Sequence, residues 1–503
     1  MRPLNFRKSY AESNQLMYDT LELKAKPYLK AHLNNGDVVI FQSTWEFDSL
    51  ALEFCGMAKH FNYNRSLIAF NKMCIPTEDI ALLETNKPMR KYESERLVYL
   101  VANFAGNLAI TFYCIAKPKA CFGSCPTFYK EPNSKLHYAD AEGFSSAIMP
   151  SLEYEDIDDI GIVKAKSEDF QLTMKNEAFE THYIKGVSLL YVPTEKNQTA
   201  LQTTDNQFYT STQTIPLLTA QSKQSNVTSI LQQKDAVEYF APANEHNLLT
   251  KEEIILQFQS EKEASRIGLS LGFRQSLMST FLFYNLIAQL GNEASDYLIR
   301  FDRNSQLRKY AKLDLGKIEI LLWNETQQKW VEQGGFDESG PITINKQTLV
   351  IDNQSSKSKN WKIKLRMTQG FWRIDYAQLQ VLENKIIPIE IKPNQLKIDQ
   401  VHHEDKLSRL NNEHLYLIHL PGNQADLFFD LPDANGHLFL KSKGYYLEWL
   451  REEWMKEKNI PLAQMLIYNP KKYYKIMAKE FKKYETEMEE IFWNSRVEST
   501  VMQ

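Results

Sequence analysis

Trp361-Lys-Ile-Lys-Leu-Arg366, the turn residues Gln369-Gly370, and Phe371-Trp-Arg-Ile-Asp-Tyr-Ala-Gln-Leu379 together decide the fold. In the first run Trp361, Ile363 and Leu365 alternate with Lys362, Lys364 and Arg366. Successive side chains of a strand point to opposite faces, so this pattern is a strand with one face on a core and one in water. In the second run Phe371, Arg373 and Asp375 share one face, and Trp372, Ile374 and Tyr376 share the other. Arg373 and Asp375 are expected to pair where their face meets a neighbour.

Upstream, residues 253–258, 317–323, 343–345 and 347–351 read as further strands, separated by turn residues such as Asp337-Glu-Ser-Gly-Pro341. Between them the period changes. Leu277, Phe281, Tyr284, Leu286 and Leu290 fall at helical spacing. The expectation is a mainly β, multidomain protein with some α. Residues 251–384 form its clearest domain, a jelly-roll-like β-sandwich.

Residues 1–95 read as a small mixed α/β domain. Within it, 9–33 is expected to be helical, and a strand at 38–41 follows the turn Asn34-Asn-Gly-Asp37. Residues 96–120 hold an apolar helix, and 121–250 form a β-rich region. Its 194–230 stretch, rich in Gln, Thr, Ser and Asn, reads as a long surface excursion around one or two short strands. Residues 385–503 read as short strands followed by C-terminal helices. There Tyr474, Met477, Phe481, Tyr484, Met488 and Ile491 form one apolar stripe on a charged helix. Such a stripe docks on the protein's own body or, as the alternative, on a partner.

Composition narrows the function classes. A chain of 503 residues divides into two to four domains. Its 59 basic and 63 acidic residues leave a net charge of -4, without the basic footprint of a nucleic-acid binder. The 12% aromatic share favours sheet. The run 97–116 carries no charge between Arg96 and Lys117, just long enough to span a bilayer as a helix. Asn103 and Asn107, four apart on one helical face, need hydrogen-bond partners out of water. The expectation is a helix buried by protein, with membrane contact as the alternative.

Chemistry-bearing motifs are sparse. His402-His403-Glu404 lacks the spacing of a helical zinc motif, and Glu180 and His182 share a strand face as a structural pair. Gly is only 18 of 503 residues, and neither a phosphate loop nor a Gly-x-Ser-x-Gly elbow occurs. Asp140, Glu142 and the run Glu153-Tyr-Glu-Asp-Ile-Asp-Asp159 read as a solvated acidic face. No catalytic, cofactor or metal residues are expected. The five cysteines form no disulfide framework, but Cys121 and Cys125 are spaced for a short local bridge, or else for two buried thiols.

Three runs carry a resemblance: Lys117-Pro-Lys-Ala-Cys-Phe-Gly-Ser-Cys-Pro-Thr-Phe-Tyr129, Ala139-Asp-Ala-Glu-Gly-Phe-Ser-Ser-Ala-Ile148 and Gly370-Phe-Trp-Arg-Ile-Asp-Tyr376. From about residue 20 onward the chain resembles an uncharacterised family of Bacteroidota-type envelope proteins. These carry an apolar segment, a Gly-Ser-Cys-Pro motif, Glu-Gly-Phe-Ser and a Trp-Arg-Leu/Ile-Asp strand. The resemblance implies an outer-membrane-associated lipoprotein with a Cys anchor. No such Cys and no signal core stands at Met1-Arg-Pro-Leu-Asn-Phe6, so either the anchor was removed ahead of Met1 or this copy departs from the pattern.

The leading expectation is an extracytoplasmic scaffold or binding component of a bacterial membrane-associated complex, with other envelope proteins as partners and no catalysis. One alternative is a carbohydrate-binding sandwich using Trp323, Trp330, Trp361 or Trp372. Another is a cysteine- or metal-dependent hydrolase, which would need a His beside Cys125.

Overall fold

Pairing across the two runs that open the reading is antiparallel throughout, in a computed structural model of the chain. The structure describes residues 8–9, 29–33, 37–42, 44–61, 67–85, 125–130, 138–163, 170–178, 180–264, 266–304, 315–337, 339–352, 358–398, 400–419, 423–432, 434–448 and 457–494. The apolar run 97–116, with Asn103 and Asn107, and Cys121 lie outside them. No described helix is long and apolar enough to cross a membrane.

The protein is mostly β, with antiparallel sheets and C-terminal helices. At its centre is a sandwich. One sheet runs in the order Leu217–Ser222, Lys251–Ala264, Ser358–Thr368, Ile318–Asn324, Lys329–Phe336. The other runs Thr214–Ile215, Trp372–Val381, Arg266–Gln275, Asn345–Asp352, with Tyr239–Phe240 also on Trp372–Val381. Ile254, Leu256, Ile363 and Leu365 of the first sheet share one core with Leu269, Leu271, Phe273 and Ile374 of the second. Trp361 belongs to this core, while Lys364 and Arg366 turn outward to Glu253 and Glu319. The alternation that opened the reading is the one the sandwich uses.

The stretch 194–230 is not a surface excursion. It holds Thr199–Gln202, Phe208–Ser211, Thr214–Ile215, Leu217–Ser222 and the helical turn Thr228–Leu231. Leu217, Ala220, Val227 and Leu231 are buried in the sandwich core. Leu217 and Ala220 point to the interior while Leu218 between them is exposed, the alternation of a strand carried across a bulge.

A second β body shares the core of Leu172, Met174, Tyr183, Leu189, Tyr191, Leu427 and Tyr445. Its first sheet has the order Tyr154–Val163, Gly436–Glu448, Glu180–Pro193, Ile389–Ile391, with Leu417–His419 also on Glu180–Pro193. Its second has the order Val401–His402, Gln395–Ile398, Gln424–Phe429, Phe170–Lys175, Thr127–Tyr129, Ala141–Glu142. Each sheet mixes strands from before and after the central sandwich. In sequence, the sandwich interrupts this body.

Residues 29–85 carry a seven-stranded sheet together with Lys8–Ser9. The helix expected over 9–33 is corrected at Ser9 and at 29–33, which are strand, while 10–28 lies outside the described residues. Leu29–Leu33 is a strand paired on both sides, with Leu29 and Ala31 fully buried. Two neighbouring strands outweigh a helical spacing of leucines. Cys55 and Cys74 stand directly opposite on adjacent strands and form a disulfide.

The C-terminal stripe folds back on its own chain as three helices, Ile460–Tyr468, Pro470–Lys482 and Glu485–Asn494. Asn459 and Asn469 cap the first two by accepting from the amides of Leu462 and Lys472. Tyr474, Met477, Phe481, Met488 and Ile491 lie in the sandwich core and Tyr484 packs on it.

Candidate functional site

The acidic run of the Tyr154–Val163 strand is the first place where burial overturns composition. Of the expected solvated face, Glu155 is exposed, but Glu142, Asp156 and Asp158 form an interior cluster. Glu142 and Asp158 are buried, and Asp156 lies beneath the outer surface with part of its area open to a cavity. Pairing explains why. Asp158 sits opposite Leu440 on the Gly436–Glu448 strand, and its neighbours Ile157 and Ile160 are core residues.

Each carboxylate has built-in donors. Glu142 Oε2 accepts from the amides of Ile342 at 2.7 Å and Thr343 at 3.2 Å, and its Oε1 accepts from the Cys125 thiol at 3.0 Å. Asp158 Oδ2 accepts from the Glu142 amide at 3.2 Å, and its Oδ1 from Asn345 Nδ2 at 3.2 Å. Asp156 accepts from the Tyr154 hydroxyl at 3.1 Å and from the Ile157 amide at 3.0 Å. A Cβ on Gly340 would lie 1.7 Å from Glu142 Oε1, so only glycine admits this carboxylate beneath the 340–343 loop.

Burial disfavours charge here. It pushes Asp156 up to about 6, with the charge of Glu142 adding and the Tyr154 hydroxyl opposing. It pushes Asp158 well above the carboxylate range, reinforced by the neighbouring Asp156.

The cluster forms one wall of a cavity of about 980 Å³. Glu142, Asp156, Gln202, Ser339, Thr343 and Asn345 line its polar side. Leu282, Leu286 and Leu290 of the Met278–Leu290 helix, Phe301 of the next helix, and Leu466 and Ile467 of Ile460–Tyr468 line its apolar side. Three of the lining residues carry an atom that is sealed from the cavity and from solvent and lacks a hydrogen-bond partner: Gln202 Oε1, Ser339 Oγ and Asn345 Oδ1. Their residues are only 4%, 7% and 7% exposed.

Of the candidate site residues named from sequence that the structure describes, one reaches this cluster. Cys125 is a buried thiol rather than half of a bridge to Cys121, and it donates to Glu142 behind the cavity wall. With Glu142 also held by two amides, this contact fixes the 340–343 loop. Arg373 does not take Asp375 as its partner. It pairs with Glu489 at 3.1 Å and Glu238 at 3.7 Å, and covers the Phe240 ring at 4.1 Å. Beside it, buried Arg274 grips both oxygens of Glu238 at 2.6 and 2.7 Å and reaches Glu489 at 3.3 Å. Burial raises Glu489, but Arg274 and Arg373 outweigh it and hold the carboxyl below its usual value. Asp375 is pushed up to about 6 by burial, against amide donation from Ala236 and Asp235. These groups clasp the last helix to the sandwich.

Glu180 and His182 pair at 2.7 Å, both fully buried, and His182 stands across from His419. Burial pushes His419 down to about 3, so it stays neutral. Trp361 and Trp372 are core residues. Trp323 and Trp330 pack edge to face at 5.4 Å, with Lys364 4.7 Å from the Trp330 ring centre. The cavity itself was missed from sequence. The available signal was the run of alternating acids within a strand whose intervening residues are apolar.

No protein-family model matches the chain, and no curated protein matches it. One solved structure, "Structure of infectious bursal disease virus Gt strain", aligns with 66% of this chain and 79% of its own at 9% identity. Its TM-score is 0.13, too low to carry an argument.

Proposed function

We propose that the chain is a non-catalytic, extracytoplasmic binding component of a bacterial membrane-associated complex, with the cavity as its ligand site. The observation that carries the ligand site is a cavity of about 980 Å³ lined by polar residues such as Asp156, Thr343 and Asn345 together with apolar residues of the Met278–Leu290 and Ile460–Tyr468 helices. The volume lies at the upper end of small-molecule sites, and an apolar lining with a few converging polar groups is their usual chemistry.

The extracytoplasmic setting is supported by the Cys55–Cys74 disulfide, since such bonds persist in oxidising compartments. The resemblance carried by the Gly-Ser-Cys-Pro and Trp-Arg-Ile-Asp runs supports an envelope location, a lipid anchor and envelope-protein partners. The carbohydrate reading keeps one support, because the polar residues that line the cavity also suit sugar hydroxyls.

The test is recovery of the full chain from native membranes, followed by identification of both co-purifying proteins and extracted small molecules. The expected outcome is a stable set of envelope proteins and one recurrent amphipathic compound. A chain recovered alone from the soluble fraction, with no bound compound, contradicts the proposal.

A further inference from the structure

We infer that the Leu67–Pro76 strand of the N-terminal sheet is an interface between two copies of this chain, which join it antiparallel about a two-fold axis at Asn71. The two N-terminal sheets then run on as one.

Leu67–Pro76 is an edge of its sheet. It pairs along one side with Glu53–Phe61, and among the described residues no strand pairs with its other side. It is also thinly covered. Leu67 is 47% exposed, Ile68 55% and Phe70 50%, and Met73 and Ile75 pack only in part against the N-terminal core. A long apolar edge is a template for another strand, and proteins normally blunt one with charge, proline or a bulge. Here those devices are few. A bulge sits at the Leu67 end, Pro76 closes the other, and Lys72 is the one charge between them.

The position of the disulfide shows which backbone groups are open. Cys55 and Cys74 stand directly opposite with Cα atoms 4.0 Å apart, the close spacing of a pair that does not exchange backbone hydrogen bonds. The amide and carbonyl of Cys74 therefore point away from Glu53–Phe61. By alternation, so do those of Lys72 and Phe70. These residues line the free edge with donors and acceptors.

The sequence of the edge selects a second copy as the occupant. With the axis at Asn71, Leu67 falls opposite Ile75 of the second copy, Ala69 opposite Met73, and Phe70 opposite Lys72. Apolar side chains meet apolar ones, and each lysine meets an aromatic ring instead of its twin. Phe70 and Lys72 also turn their backbone groups to each other, as a hydrogen-bonded pair requires. Opposed residues share a face, so the half-covered Met73 and Ile75 gain cover from the second copy. Neighbouring registers lose this match. An axis at Lys72 sets like charges directly opposite. An axis at Phe70 sets Lys72 against Ile68 and carries Ile75 past the start of the facing strand.

The test is sedimentation equilibrium of the full chain at concentrations up to about 0.2 mM, where even a weak specific interface is populated. A dimer is expected. Lys72→Pro removes an amide that makes no bond within one chain, and is expected to abolish the dimer while circular dichroism stays unchanged. If that variant fails to fold, a pair at Phe70 decides. Phe70→Lys and Phe70→Glu lose the same ring, but the first sets a like charge opposite Lys72 of the second copy and the other an opposite charge, twice in each dimer. Phe70→Lys is expected to associate about tenfold more weakly than Phe70→Glu. A wild type that stays monomeric throughout, a dimer that a folded Lys72→Pro variant keeps, or equal association of the two Phe70 variants overturns the proposal.

Discussion

Asn345 shows how much of this site is decided one atom at a time. Its amide nitrogen donates to Asp158, and nothing in the surrounding run Thr343-Ile-Asn-Lys announces this. The acids mislead in the opposite direction. Glu142, Asp156 and Asp158 look solvated in sequence because carboxylates usually are. Their burial depends on donors supplied from residues far along the chain, such as the amides of Ile342 and Thr343. Gly340 is the residue that lets those donors approach. Gly340→Ala is expected to lower stability by about 1–3 kcal/mol, the usual cost of overpacking, measured by denaturant unfolding. A neutral result would mean that the loop yields and that Glu142 is not locked. Asp156 has a pH signature. Its folded value of about 6 lies above the ordinary 3.8, so the folded chain holds this proton more tightly than the unfolded chain. The ionised group therefore costs stability above about pH 6. That cost shrinks as pH falls from 6 towards 3.8 and is gone below it. Asp156→Asn is expected to be more stable than wild type at pH 7.5 by about 1–2 kcal/mol, with the difference vanishing near pH 4. A difference that grows on acidification would contradict the assignment.

Among the elements, the strands that alternate cleanly were legible and those whose partners decide their state were not. Trp361-Lys-Ile-Lys-Leu-Arg366 carries its own face assignment, and the sandwich uses it unchanged. Leu29–Leu33 carries a weak pattern and becomes a strand because neighbours pair with it on both sides. The Cys55–Cys74 bridge was hidden for a related reason. A separation of 19 residues says nothing until register sets the two opposite each other. Replacing both with Ser is expected to cost about 3 kcal/mol from loop-closure entropy, read as an earlier unfolding transition of the N-terminal sheet. Reductant should shift the wild type likewise and leave the double variant unmoved. The clasp at the last helix is a second element-scale device. Arg274→Met takes the two-oxygen partner from buried Glu238 and leaves it and Glu489 to Arg373, and a loss of about 3 kcal/mol is expected. An unchanged midpoint would show that the helix is held by its apolar stripe alone.

For the whole molecule, the decisive fact is the order in which the chain visits its two β bodies. Strands Tyr154–Val163 and Glu180–Pro193 wait for Gly436–Glu448, more than two hundred residues later, to join them. A reading along the chain places boundaries where composition changes, and composition does not change when a chain leaves one sheet to build another. That is why the region expected to end at residue 250 and the one expected to begin at 385 share one body. It is also why 251–384 lacks the edge strands Thr214–Ile215, Leu217–Ser222 and Tyr239–Phe240. The isolated 251–384 fragment is expected to show no cooperative unfolding by circular dichroism, and a sharp transition would restore it as an independent domain. The cavity follows from the same arrangement. Its polar wall comes from both bodies and its apolar wall from helices on the sandwich, so no single segment of sequence contains it. The central claim is that this space holds a ligand. It is tested most directly by native mass spectrometry of the full chain recovered from its own membranes, as wild type and as Leu286→Trp, which fills the cavity from its apolar side. The account predicts a discrete added mass on the wild type that is absent from an otherwise folded variant. Identical spectra, with no added mass on either or the same added mass on both, would contradict it.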